Sequence, residues 1–253
     1  MITQNLRRIF AAAAAILCCE LSTIAAPVFL QDYEPPGNLD APFNLVPDFS
    51  GTTVGVNAAN DSITHIPTDG AAGTTASAES FIEHATAESP TAAGWQWQVR
   101  FLPNNGGSTN AQNPLFAADG YVGYWLKVES SVTATIRTAP VLEGSTGTAT
   151  ASAGDLQTVV KDGQWHLYQW NMDDPTQFDN SFNDVYAGGL GDTVLESSVS
   201  FDSIAFVSSD GGNATFRIDQ IGYDNAGPLP EPASGVLLMM ALSAALVARR
   251  RVV

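Results

Sequence analysis

The stretch Trp95 to Phe101 limits the fold of this chain more than any other. Trp95, Trp97, Val99 and Phe101 alternate with Gln96, Gln98 and Arg100, the period of two expected of a strand with one buried face. Pro103-Asn104-Asn105-Gly106-Gly107 ends it. The same pattern recurs downstream. Tyr121 to Val128 (YVGYWLKV) is apolar on both faces and predicts a central strand, with Gly123 marking the close approach of a neighbour. Val132 to Thr138 alternates threonine with aliphatic residues. Leu156 to Val160, the turn Lys161-Asp162-Gly163, and the aromatic run Gln164 to Asn171 follow. Phe201 to Val207, the turn Asp210-Gly211-Gly212-Asn213, and Ala214 to Tyr223 complete the set. No amphipathic helix of any length interrupts it. Residues 27–94 read as loop-rich, with a short strand candidate at Val28 to Glu34, a second at Thr52 to Val56, and Phe81 to His84 open to either type. Roughly seven to nine short strands predict an all-β fold, an antiparallel β-sandwich. With both termini in one sheet, the expected form is a jelly roll.

The two ends of the chain are of another kind. Residues 1–25 read as a secretory signal peptide and signal helix: Arg7 and Arg8, the apolar run Ile9 to Cys19, then a small-residue exit at Thr23 and Ala25. A lipoprotein signal fits less well, because Leu17 or Cys18 stands where a small residue should precede the cysteine. Residues 228–253 begin Pro228-Leu229-Pro230-Glu231-Pro232, continue through the apolar segment Ala233 to Ala248, and close on Arg249, Arg250 and Arg251. That C-terminal hydrophobic helix counts 16 residues, short of the roughly 20 a full span uses, though snorkelling arginines extend its reach. The arginines place the body on the outer side of the membrane. Between the ends lies one body, 26–227, with a loop-rich part (26–94) and core strands (95–225).

Both cysteines, Cys18 and Cys19, belong to the signal segment, so the body carries no disulfide and depends on core burial. Its cations are only Arg100, Lys127, Arg137, Lys161 and Arg217, against 24 acids, a net charge near −19. A polyanion is repelled, which excludes nucleic acid as a partner.

The tail from Pro230 to Val253 resembles the PEP-CTERM sorting signal of exported bacterial proteins. The match carries Pro230, Glu231 and Pro232, the apolar helix, and Arg249, Arg250 and Arg251. The resemblance implies recognition by an exosortase-type membrane protease, transient anchoring in the inner membrane, and delivery to the cell surface or extracellular polysaccharide. An ordinary single-pass anchor is the plainer alternative.

The runs YVGYWLKV (121–128), DGQWHLYQWNMDD (162–174), FDSIAFVS (201–208) and NATFRIDQIGYD (213–224), with QDYE (31–34), resemble galactose-binding-like jelly rolls, which include carbohydrate-binding modules. A concanavalin/laminin-G-like sandwich is the alternative. The first resemblance implies one structural calcium ion between the first and last strands, held by Asp32, Glu34 and Asp219. Pro35-Pro36 departs from the glycine-containing loop expected there. Without a metal, Asp219 would pair with Arg217 or cap a turn, and Glu34 would be solvated. Carboxylates suit calcium, which takes six to eight oxygens.

Residues 171–184 are acidic but do not form an EF-hand, because glycine is missing at the turn position. Asp174-Pro175 reads instead as a turn start. Among the tryptophans, Trp125 and Trp165 read as core, and Trp95, Trp97 and Trp170 as candidates for stacking on a sugar. His65, His84 and His166 have no metal spacing, and no nucleophile elbow or thiol is present in the body. The expected function is therefore non-catalytic: an exported β-sandwich associated with polysaccharide. A matrix protein without a specific ligand, or a glycan hydrolase or lyase, are the alternatives.

Overall fold

A computed structural model describes residues 26–34, 52–102, 114–144, 151–181 and 194–230, apart from positions 72, 87, 89, 92 and 179. The signal helix, Pro35-Pro36, the end of the acidic loop and the tail from Glu231 lie outside the described residues. Among the described residues no helix is long and apolar enough to cross a membrane.

Two antiparallel sheets form a jelly-roll sandwich. The first runs β10 (Trp165–Asn171), β6 (Tyr121–Val128), β13 (Ala214–Asp224), β3 (Ser77–Ile82), β2 (Ser62–Ile66), with β1 (Val28–Gln31) also on β13. The second runs β11 (Asn180–Ser181), β8 (Ser152–Ala153), β7 (Ile136–Gly144), β12 (Ser198–Ser208), β4 (Trp97–Phe101). β5 (Leu115–Ala117) joins β12, and β9 (Gln157–Thr158) joins β7. Pairing of β1 with β13 puts both ends of the body in one sheet, as the pattern predicts.

The core forms where the inner faces meet. Val122, Tyr124, Leu126 and Val128 of β6 join Tyr168 and Trp170 of β10 and Phe216 and Ile218 of β13. From the other sheet come Trp97, Val99 and Phe101 of β4, Leu142 of β7, and Phe201, Ile204 and Phe206 of β12. Phe206 stacks on Phe216 at 4.2 Å, and the Tyr124 hydroxyl hydrogen-bonds Thr138 Oγ1 across the layers at 2.6 Å. Each alternate residue contributes to one continuous apolar layer, the arrangement a disulfide-free sandwich requires. At Gly123 a Cβ would stand 2.4 Å from the Tyr168 carbonyl oxygen, so the close approach expected there is met.

Two expectations need correction. The strand expected at 132–138 is β7, displaced toward the C-terminus and running through Pro140. That is tolerated because β7 changes partner there, from β9 at Arg137 and Thr138 to β8 at Val141 and Leu142. The missing proline N–H falls in the gap between them. The loop-rich part also supplies β2 and β3. β3 hides its period because its inward residues include Ala78 and Ser80, too small and too polar to contrast with the outer face. Thr52 to Val56 forms isolated bridges, Val54 with Gln98 and Val56 with His84.

Candidate functional site

Of the acids expected to hold calcium, Asp32 and Glu34 follow β1 and Asp219 lies on β13. Tyr33 takes φ 55°, and Gln220, in a bulge of β13, takes φ 46°. These left-handed conformations are costly for non-glycine residues and turn Glu34 and Asp219 onto one segment. Both acids grip the β2–β3 connection. Glu34 Oε1 accepts from the N–H groups of Thr75 and Ala76, the latter at 2.8 Å, and Oε2 accepts from Thr75 Oγ1 at 2.9 Å. Asp219 Oδ2 accepts from Ala71 N–H at 2.7 Å and from the Thr74 hydroxyl, and Oδ1 accepts from Gln220 N–H. Asp32 Oδ1 accepts from Glu34 N–H. Of the metal-free alternatives, the turn cap describes Asp219, which accepts from Ala71 and Thr74 of one turn, whereas Arg217 pairs with Asp69 and Glu79 instead. Glu34 stays partly exposed and accepts from backbone N–H groups. The Thr75 N–H holds the Glu34 carboxyl below its usual range. Asp219 is pushed up to about 7 by burial, with the charge of Asp32 adding to it. Among the described residues no group of three or more ligating side chains gathers as a metal site.

The tryptophans sort differently from the expectation. Trp97 and Trp170 are wholly buried in the sandwich, so neither can stack on a sugar. Their indole N–H groups donate to the carbonyls of Gly212 and Asp155, at 3.0 and 2.7 Å. Trp95 is half-buried, packs against the core, and has the Arg137 guanidinium 5.8 Å from its ring centroid. Trp125 is buried as expected, but it belongs to the outer face: its register neighbours are Asp219 and Leu167, while Tyr124 and Leu126 point inward. Trp165, expected in the core, is partly exposed.

Trp165 borders a charged cluster that crosses the outer face of the first sheet. Register aligns Glu79 of β3, Arg217 of β13, Lys127 of β6 and Trp165 of β10 in one row. Asp69, from the β2–β3 connection, lies across that row. Its carboxylate accepts from Lys127 Nζ at 2.9 Å, from Arg217 Nη1, and from Trp165 Nε1 at 3.2 Å. Burial opposes ionisation of Asp69, and the bonds from Lys127, Arg217 and Trp165 outweigh it, so its pKa lies below the usual range. Arg217 Nε also donates to Glu79. One signal was available in the sequence: Lys127 interrupts the otherwise apolar run Tyr121 to Val128.

A second polar group stands on the second sheet and had no sequence signal. Arg100 Nη2 pairs with Asp202, and Arg100 Nε donates to Ser203 Oγ at 3.0 Å. Nearby Glu143 is fully buried, with no hydrogen-bond partner at either carboxylate oxygen. Burial pushes its pKa up to about 7, the charge of Asp202 adds to that, and Arg100 opposes it. His166 Nε2 meets Asp162 Oδ1 at 2.9 Å, and Asp174 caps the turn at Thr176, as expected.

No protein-family model matches the chain, and no curated protein is similar to it. Among solved structures, the family 11 carbohydrate-binding module of the cellulosomal cellulase Lic26A-Cel5E of Clostridium thermocellum is similar, with TM-score 0.43 and 15% identity over 80% of this chain and 96% of that one. A family 11 module from Clostridium thermocellum in complex with a β-1,3-1,4-mixed-linked tetrasaccharide gives 0.38 and 15%, over 66% and 85%. A structure described as "CBM4 structure and function" gives 0.32 and 14%, over 80% and 96%.

Proposed function

We propose that this chain is an exported, non-catalytic β-sandwich that associates with polysaccharide at the cell surface and is sorted there by an exosortase-type protease. The sorting part rests on the tail, Pro230, Glu231 and Pro232 through Arg249, Arg250 and Arg251, together with the signal segment. The observation that carries the binding part is Trp165. It is a partly exposed ring on the outer face of the first sheet, edged by carboxylates and cations from Asp69, Glu79, Lys127 and Arg217. An apolar sugar face stacks on such a ring, while charged groups beside it bond the hydroxyls. The Glu143–Asp202 pair does not suggest catalysis, because both acids are buried away from substrate.

Affinity electrophoresis of residues 26–230 through gels containing candidate polysaccharides tests this. Retardation by at least one is expected, and Trp165→Ala should weaken it about tenfold or more, the loss of a central aromatic anchor. No reducing ends should be released. Absence of retardation by any polysaccharide would favour the matrix-protein reading.

A structural calcium ion is a second proposal, favoured by the raised proton affinity of Asp219. A divalent cation would relieve the repulsion between Asp219 and Asp32, with Asp32, Glu34 and Asp219 supplying oxygens. It would fasten the two ends of the body. The donors already on Glu34 and Asp219 oppose it. Adding calcium to EDTA-treated protein, at 100-fold above Kd, should raise Tm by roughly 5–10 °C. An unchanged Tm would mean that hydrogen bonds alone hold the clamp.

A further inference from the structure

The body reaches its tail without a spacer. Beyond β13 the chain turns at Asn225 and Ala226, where Ala226 N–H donates to Asp224 Oδ1 at 2.8 Å. Asn225 Nδ2 donates to the carbonyls of Ala117 and Asp119, both at 3.0 Å, and to the Asp119 carboxylate. Leu229 then returns to β10, the edge strand of the first sheet. Its N–H donates to Gln169 Oε1 at 3.0 Å, and only 3% of its surface is exposed. Pro230, the next residue, is exposed. The fold therefore ends at an anchored leucine, and the apolar run opens at Ala233.

Four residue steps separate Leu229 from Ala233. Even fully extended, they span at most about 14 Å, whereas β13 alone is about 36 Å long at 3.3 Å per residue. Prolines at 228, 230 and 232 restrict the link further. We infer that, when the apolar run is seated in a bilayer, the sandwich lies flush against the lipid headgroups by the end of the first sheet where β13 finishes and Leu229 meets Gln169, with β13 running away from the surface. A partner acting on Pro230 to Pro232 must then reach a site bounded by the body on one side and lipid on the other. The inference rests on the reading of residues 233–251 as a membrane anchor; what it adds is orientation and contact.

The cysteine-free body makes a direct test practicable. In the full chain carrying C18S and C19S, single cysteines A226C, S209C and G235C each take one fluorophore. The protein is reconstituted into phosphatidylcholine vesicles that include a lipid with a nitroxide on its headgroup. Ser209 is exposed in the turn before β13, roughly 25–30 Å along the strand from the Leu229 side. Strong quenching is expected at 235 and 226, and little at 209. A spacer of about twelve Gly/Ser residues after Leu229, reaching about 20 Å on average, should bring 226 down to the level of 209 and leave 235 quenched. Equal signals at 226 and 209 with 235 quenched overturn the flush orientation alone. An unquenched 235 overturns the anchor reading and the orientation with it.

Discussion

Replacing Trp170 with alanine should lower the unfolding free energy by about 3–5 kcal/mol, the usual result of emptying a large aromatic site in a core. Trp170 is fully buried, its ring lies 5.5 Å from that of Tyr124, and its indole N–H donates to the Asp155 carbonyl. Alanine removes the packing and that hydrogen bond together. Phenylalanine restores most of the volume without the donor, so Trp170→Phe should recover part of the loss. Urea denaturation of the three proteins gives the ordering directly. The same variants separate core from ligand roles: Trp170→Phe should keep polysaccharide retardation, whereas Trp165→Ala should lose it with little change in stability. A Trp170→Ala protein within about 1 kcal/mol of the parent would remove this residue from the core.

The second large effect is a gain that depends on pH. Glu143→Gln should match the parent near pH 4.5 and become more stable as pH rises to 8. The Glu143 carboxyl sits near 7 in the fold, above its ordinary value of 4.5. Between those values the folded state keeps a proton that the unfolded state has released. Stability therefore falls as pH rises through that window and levels off above about 7. At about 1.4 kcal/mol per pH unit, the loss is on the order of 3 kcal/mol. Glutamine keeps the shape and carries no charge, so the variant escapes this loss. Asp219, raised to about 7 by burial and then by Asp32, remains in both proteins and leaves each with a residual slope of the same sign. The measurement is the difference between parent and variant in urea midpoints from pH 4.5 to 8. A difference that does not grow with pH would show that Glu143 ionises freely in the fold.

What could be read from the chain followed the contrast between its faces. Tyr121–Val128 has the same bounds in sequence and structure, because Val122, Tyr124, Leu126 and Val128 are large and inward while Gly123 marks a crowded approach. Ala214–Asp224 and Trp165–Asn171 were nearly as plain. Ser77–Ile82 was not, since Ala78 and Ser80 on its inward side are small and only Ile82 at its end is large. The tryptophans show the limit of alternation. It correctly separates neighbours onto two faces, but which face is buried depends on what lies across it. Trp97 and Trp170 point between the sheets, whereas Trp125 points outward into an environment closed to solvent.

By itself the sequence determined the class of fold, the absence of disulfides in the body and its strongly acidic charge. These are properties of composition and of period, carried by neighbours along the chain. Only the tertiary structure decided that Asp69, Lys127, Arg217 and Trp165 converge. It alone joined Glu34 and Asp219 through the β2–β3 connection and left Glu143 unpartnered beside Asp202 and Arg100. Those groups come from strands and loops tens of residues apart, and strand register, which no local pattern encodes, brings them together.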